Sequence, residues 1–165
     1  MTVTQMLKRN LVMVLAYTVA FSPSARAVSL PEMKYRTAMI ADRYLQIWSS
    51  NNSSPIAGVP YMYGPTVRFY GQQYTQADLI AEKRRAIRQW PIRQYAHRPG
   101  TLNVRCNVPQ QKCVAQSMID FTVRNPSRGT AKTGSAKFDL GVSFAERHPV
   151  ILYEGGSLNS RRAEK

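Results

Sequence analysis

The chain has 165 residues, 23 of them Lys or Arg and 9 Asp or Glu, for a formal charge of +14. That length fits one domain with a core of its own, so the fold need not rest on several disulfides. The excess of base raises the expectation of an anionic partner: nucleic acid, phospholipid headgroups, lipopolysaccharide, cell-wall acids or an acidic protein. The plainer reading is that the charge serves solubility alone.

Lys8 and Arg9 precede an apolar run from Leu11 to Phe21, which is followed by Ser22-Pro23-Ser24-Ala25-Arg26-Ala27. A basic start, an apolar stretch and an Ala-x-Ala ending are the three parts of a secretory signal peptide. The apolar stretch is too short to span a bilayer, which takes about 20 residues. Residues 1–27 are therefore read as a cleaved signal peptide and 28–165 as a single domain, periplasmic or secreted, with no transmembrane anchor after cleavage. No Cys follows the cleavage site, which excludes a lipid anchor there. Removal takes three basic residues and no acid, leaving 20 basic residues against 9 acids.

In the mature chain, Val28–Lys34 reads as a lead-in. Tyr35–Ser50 reads as an amphipathic helix with Ile40, Ala41, Tyr44, Leu45, Ile47 and Trp48 on one side. Ser49–Pro55 is a polar loop. Tyr61–Tyr63 and Thr66–Tyr70 read as two strands about Gly64-Pro65. Thr75 and Asp78 match a capping box, and the helix they open should end at Trp90, ahead of Pro91. Thereafter the period is two, with strands over Ile92–Arg98, Thr101–Cys106, Cys113–Val123, Ala136–Phe144 and Val150–Tyr153. The connection Asn125–Gly134 is small, polar and basic and should form an exposed hairpin loop. Gly155–Lys165 reads as a polar tail. The order, helix, short hairpin, helix and then an antiparallel meander, is an α+β arrangement.

That order, with Val59-Pro60-Tyr61-Met62-Tyr63-Gly64-Pro65-Thr66-Val67-Arg68-Phe69-Tyr70-Gly71 after the first helix, resembles the NTF2-like (SnoaL-like) cone superfamily over about Tyr35–Leu158. The resemblance implies an NTF2-like cone: two main helices on a curved antiparallel sheet that leaves a pocket. It also implies a choice among ketosteroid-isomerase-type enzymes, ligand binders and periplasmic assembly domains of secretion systems, because a fold does not select a function.

Cys106 and Cys113 flank a polar turn and alternate with apolar residues on either side, so a hairpin would oppose them at a separation a disulfide can span. Two thiols without a nearby His do not make a metal site, and a redox pair would show Cys-x-x-Cys. Nucleophilic catalysis lacks a Gly-x-Ser-x-Gly elbow. His97 and His148, the only histidines, sit in separate segments without ligand spacing, so neither a metal nor another cofactor is expected. The cone enzymes use an inward Asp with a Tyr donor. Here Asp42, Asp120 and Asp139 each fall opposite the larger apolar row, which weighs against an enzyme, and no catalytic residue is assigned.

Lys83, Arg84, Arg85, Arg88, Arg93 and Arg98 crowd a short stretch holding one acid, Glu82. Arg84, Arg85, Arg88, Arg93 and Arg98 are the candidate binding residues for an anionic envelope component or an acidic protein surface. Trp90 and Tyr95 are interleaved with them as in single-strand binders, yet nucleic acid is an uncommon partner for an exported protein. Lys83 lies amid Leu79, Ala86, Ile87 and Trp90, inside the apolar stripe. The commoner outcome is that its stem packs and its head reaches the rim. The sharper one is that the head enters the cone to meet a carboxylate or an anionic ligand, which makes Lys83, with Tyr95 and His97, a pocket candidate. The function expected is a non-catalytic exported binding or scaffolding domain with a basic face, of the kind an envelope-spanning assembly would contain. The alternative is a small isomerase- or dehydratase-like enzyme using an Asp/Tyr pair.

Overall fold

The computed structural model describes residues 28–49 and 55–158. The signal-peptide reading of residues 1–27, most of the polar loop before Pro55 and the tail beyond Leu158 lie outside them.

Helix α1 spans Leu30–Trp48, starting five residues ahead of the sequence expectation. Pro31 does not hold it back: in the first turn a proline has no intrahelical N–H to lose and its fixed φ suits the helix. Its buried side, Met33, Thr37, Ala41, Tyr44, Leu45 and Trp48, follows three-and-four spacing. Helix α2 spans Pro55–Met62 and takes in Tyr61 and Met62, where a strand was expected to begin. Strand β1, Tyr63–Phe69, then runs straight through Gly64-Pro65. It can do so because the register with its parallel neighbour slips between Tyr63 and Arg68, so Pro65 sits where the ladder is already irregular. The true hairpin turn is Tyr70-Gly71, with φ of 47° and 90°. Positive φ at both central residues is what a tight, twist-compatible hairpin turn needs, and it returns the chain as β2, Gln72–Thr75.

Helix α3, Gln76–Gln89, opens on the expected capping box and closes at Trp90. Thr75 Oγ1 accepts from the Asp78 amide at 3.2 Å while Asp78 Oδ2 accepts from the Thr75 amide at 3.2 Å. Strands β3, Ile92–His97, and β4, Asn103–Asn107, both pair antiparallel with successive stretches of the long β5, Lys112–Asn125. A short 3-10 turn, Pro126–Arg128, and Gly129 connect β5 to β6, Thr130–Ser143. Much of the expected loop is therefore strand. β7, Val150–Leu158, likewise absorbs the first residues of the expected tail.

The seven strands form one sheet in the order β2-β1-β7-β6-β5-β3, with β4 also on β5. All pairs are antiparallel except β1 with β7, which corrects the expected all-antiparallel meander. α1 packs on β3, β4 and β5, and α3 on β1 and β2, so both helices cover one concave side. Between them lies the core of Tyr44, Leu45, Trp48, Tyr63, Val67, Leu79, Phe138 and Leu140. Burying each aliphatic member contributes about 2 kcal/mol. Cys106 and Cys113 face each other across β4 and β5 at a Cα separation of 4.0 Å and form a disulfide, as expected.

Candidate functional site: a buried ion pair in the mouth of the cone

The apolar stripe of α3 carries Lys83 into the interior, where only 7% of the residue is exposed. Its ammonium does not reach the rim. Nζ lies 2.6 and 2.8 Å from Glu154 Oε1 and Oε2 and donates a third bond, 3.0 Å, to the Tyr44 hydroxyl. Those three contacts use all three ammonium protons. Tyr63 donates to Glu154 Oε2 at 2.8 Å. The Nζ also sits 4.5 Å from the Trp48 ring centroid and 5.0 Å from that of Phe69, a cation–π setting.

Each member arrives from a different element: Tyr44 and Trp48 from α1, Tyr63 and Phe69 from β1, Lys83 from α3 and Glu154 from β7. Burial pulls the Lys83 ammonium below the ordinary lysine range while Glu154 opposes the shift. Burial first, then the Glu154 charge, raises the Tyr44 and Tyr63 hydroxyls well above the usual phenol value. Both therefore stay protonated and act as hydrogen-bonding groups rather than bases.

The cluster forms one wall of a cavity of about 260 Å³. Aromatic and aliphatic groups, among them Trp48, Phe69, Tyr95, Ile119 and Phe138, form most of the rest, and Ala86 and Ile87 stand on the α3 side. The Trp48 indole Nε1, buried here, has no hydrogen-bond partner among the described residues.

Of the residues singled out in the sequence, Lys83, Arg93 and Tyr95 line this cavity. His97 does not. It lies beneath α1, with Nδ1 2.7 Å from Ser117 Oγ and Nε2 3.5 Å from Asp42 Oδ1, its ring edge-on to Phe138. The five arginines do not share one face. Arg84, Arg85 and Arg88 are exposed along α3, with Arg85 3.1 Å from Glu82. Arg93, by contrast, is 4% exposed. Strand alternation turns it inward, where Nε donates to the Trp48 carbonyl at 3.1 Å and a terminal nitrogen donates to the carbonyls of Trp90 at 2.8 Å and Pro91 at 3.1 Å. It thus holds the C-terminal ends of α1 and α3 together, and burial lowers its pKa. Arg98 is exposed on another surface and bound to Asp120 at 2.6 Å. Asp42, Asp120 and Asp139, the sequence candidates for an acid–base role, all lie off the cavity wall; Asp139 accepts from Gln116 at 2.8 Å.

No protein-family model matches the chain, and no curated protein does. Solved structures do. An NTF2-like superfamily protein from Salmonella enterica superposes with a TM-score of 0.66 over 83% of this chain and 99% of its own, at 10% identity. The chain has the NTF2-like cone fold. An NTF2-like family protein from Streptomyces avermitilis, named as a proposed dehydratase, matches with a TM-score of 0.62 over 79% of this chain and 98% of its own at 5% identity. The Kfla4162 protein of Kribbella flavida gives 0.62, with 78% and 93% covered at 10% identity. At such identities the likeness carries the NTF2-like cone and not its chemistry.

Proposed function

We propose that this is a non-catalytic, exported binding domain whose cone holds a small, largely apolar guest. The observation that carries it is the closure of the Lys83–Glu154 pair upon itself. A general base must be able to take up its substrate's proton, whereas this carboxylate is matched by an ammonium that gives it two bonds, and a third comes from Tyr63, so taking up a proton would break the pair. The cavity is open, yet Lys83 and Glu154 satisfy each other, Arg93 is held by backbone carbonyls and the tyrosines are protonated. Such a wall orients a guest and does not move protons. At about 260 Å³ the space falls just below the usual range for drug-sized ligands, so the guest is small. An enzyme built on an Asp/Tyr pair is disfavoured, because no Asp lines this cavity, and Asp120, which shares a shallower outer hollow with Tyr95, is held by Arg98 and Ser135.

The cell-envelope address rests on Ala25-Arg26-Ala27 and its upstream apolar run. The Cys106–Cys113 disulfide supports an oxidising compartment. The basic exterior suits a domain held against an anionic envelope component or an acidic protein of an envelope assembly.

Indole, followed by tryptophan-sensitive NMR shifts, tests the cavity. The parent should bind it and Ala86→Phe should not, since position 86 is exposed at the wall and can be enlarged without disturbing the core. Equal binding by both would refute the site, and enzymatic conversion of a bound guest would refute the non-catalytic reading. Intact mass of the envelope fraction tests the address, where a chain beginning at Val28 is expected and a full-length mass would overturn it.

A further inference from the structure

At the end of β5 opposite the disulfide, the fold joins two basic segments that are well separated in sequence. Asn125, 2% exposed, donates from Nδ2 to the Gln89 carbonyl at 2.9 Å and so ties the β5–β6 tip to the last turn of α3. This sets the tip against the end of α3 that carries Arg84 and Arg88. Lys132, opposite the buried Val123, lies on the helix-facing side of the ladder, Arg128 lies in the turn, and Arg124 stands on the opposite face of the same tip. Arg124 pairs across the ladder with Ile92 and Ala131, and Lys132 Nζ lies 5.5 Å from the Trp90 ring centroid. All five are exposed. None of the five is in an ion pair among the described residues, since Glu82 is taken by Arg85 and Asp120 by Arg98.

We propose that this end of the cone is a docking surface for an anionic phospholipid bilayer, an inference that deepens the envelope reading above and rests on it for its biological setting. Five exposed cations at one end of the cone have no carboxylate partner among the described residues, and a like-charged cluster is tolerated because water screens it. Phosphate headgroups supply the missing charge. The surface reads charge and not bases. Single-strand binders need free aromatic faces, but Trp90, the nearest aromatic, is half-buried and lies against Lys132, while the exposed Tyr35, Tyr61 and Tyr70 belong to other elements.

The purified mature protein should co-sediment with vesicles of phosphatidylglycerol in phosphatidylcholine and not with phosphatidylcholine alone, and added salt should release it. Each basic residue near such a surface is worth about fivefold in binding, so Arg88→Gln/Arg124→Gln/Arg128→Gln should weaken it about a hundredfold. A control with the same charge loss elsewhere, Arg105→Gln/Lys112→Gln/Arg147→Gln, should stay within roughly tenfold of the parent, because screened charges far from the surface contribute little. Equal losses in the two triple variants would overturn the proposal in favour of net charge alone. Unchanged binding in the tip variant would overturn it outright, as would tighter binding to a single-stranded oligonucleotide than to the vesicles at matched salt. Vesicle binding is read on purified protein, so its failure is distinct from a failure of export, which the envelope mass reports.

Discussion

Replacing Lys83 by Met removes the ammonium and keeps most of the stem. Glu154, 4% exposed, is then left with the tyrosine hydroxyls of Tyr63 and Tyr44 as its donors and no cation. Breaking one partner out of a buried pair costs about 3–5 kcal/mol, because the other charge stays desolvated and uncompensated. The Nζ contacts at 2.6 and 2.8 Å and the aromatic surround place this pair among the dry cases. For a domain of this size each kcal/mol shifts the melting temperature by roughly 3–4 °C, so Lys83→Met should melt about 10–15 °C below the parent. The stranded carboxylate can relieve itself only by taking up a proton. The deficit against the parent should therefore shrink on going from about pH 7 to about pH 5. Adding Glu154→Gln removes the charge and still offers Tyr63 an acceptor, so the double variant should recover more than half of the loss. Thermal and urea denaturation of the three variants across that pH range provide the measurement. A Lys83→Met protein that melts at or above the parent would refute the buried pair.

Thr75→Ala deletes one half of the α3 capping box and should cost about 1 kcal/mol, read by urea denaturation, with the cavity unchanged. Unreduced, denatured protein should show no titratable thiol, and reducing Cys106–Cys113 should cost about 2–3 kcal/mol on the chain-entropy account of so short a loop. Burial holds the His97 imidazole below its ordinary value of 6.5, against the pull of Asp42. The unfolded chain therefore takes its proton first, and stability present above about pH 6.5 is lost as pH falls through the lower folded value. His97→Gln should flatten that loss in a pH series of melting temperatures, and an unaltered slope would assign it to other groups.

The elements that were legible in the sequence are those whose boundary signal is local. Thr75 and Asp78 are three residues apart, Pro91 stops the helix behind Trp90, and Cys106 and Cys113 flank their own turn. What stayed hidden depends on partners distant in sequence. Gly64-Pro65 looks like a turn until β7 is seen to pair on either side of an irregularity there, and the real turn needs Tyr70, an unpromising residue, to adopt a positive φ of 47°. Thr130–Gly134 reads as loop because its residues are small and polar, yet β5 pairs with it along its whole length and sets its conformation. Arg93 reads as surface charge because a single strand position gives no hint that two helix ends converge on it.

Glu154 was missed for a similar reason: Glu154-Gly155-Gly156-Ser157 has the composition of a turn, and the strand was expected to stop at Tyr153. One signal could have found it. A lysine at the centre of an apolar stripe must either reach water or meet an anion, because burying an unpaired ammonium costs more than the helix can recover from Leu79 and Ile80. The chain has 9 acids in all. Glu82 is next to Lys83 on α3 and so points elsewhere, Asp78 belongs to the cap, and Asp120 and Asp139 alternate away from the apolar row. That elimination leaves few carboxylates, and only Glu154 directly follows an apolar strand run, Val150–Tyr153, that could carry it into the core. A pair recruited from α3 and β7 and sealed by tyrosines of α1 and β1 fixes four elements around one point. Its charges are spent on one another, so what it offers a guest is shape, aromatic surface and a rigid wall.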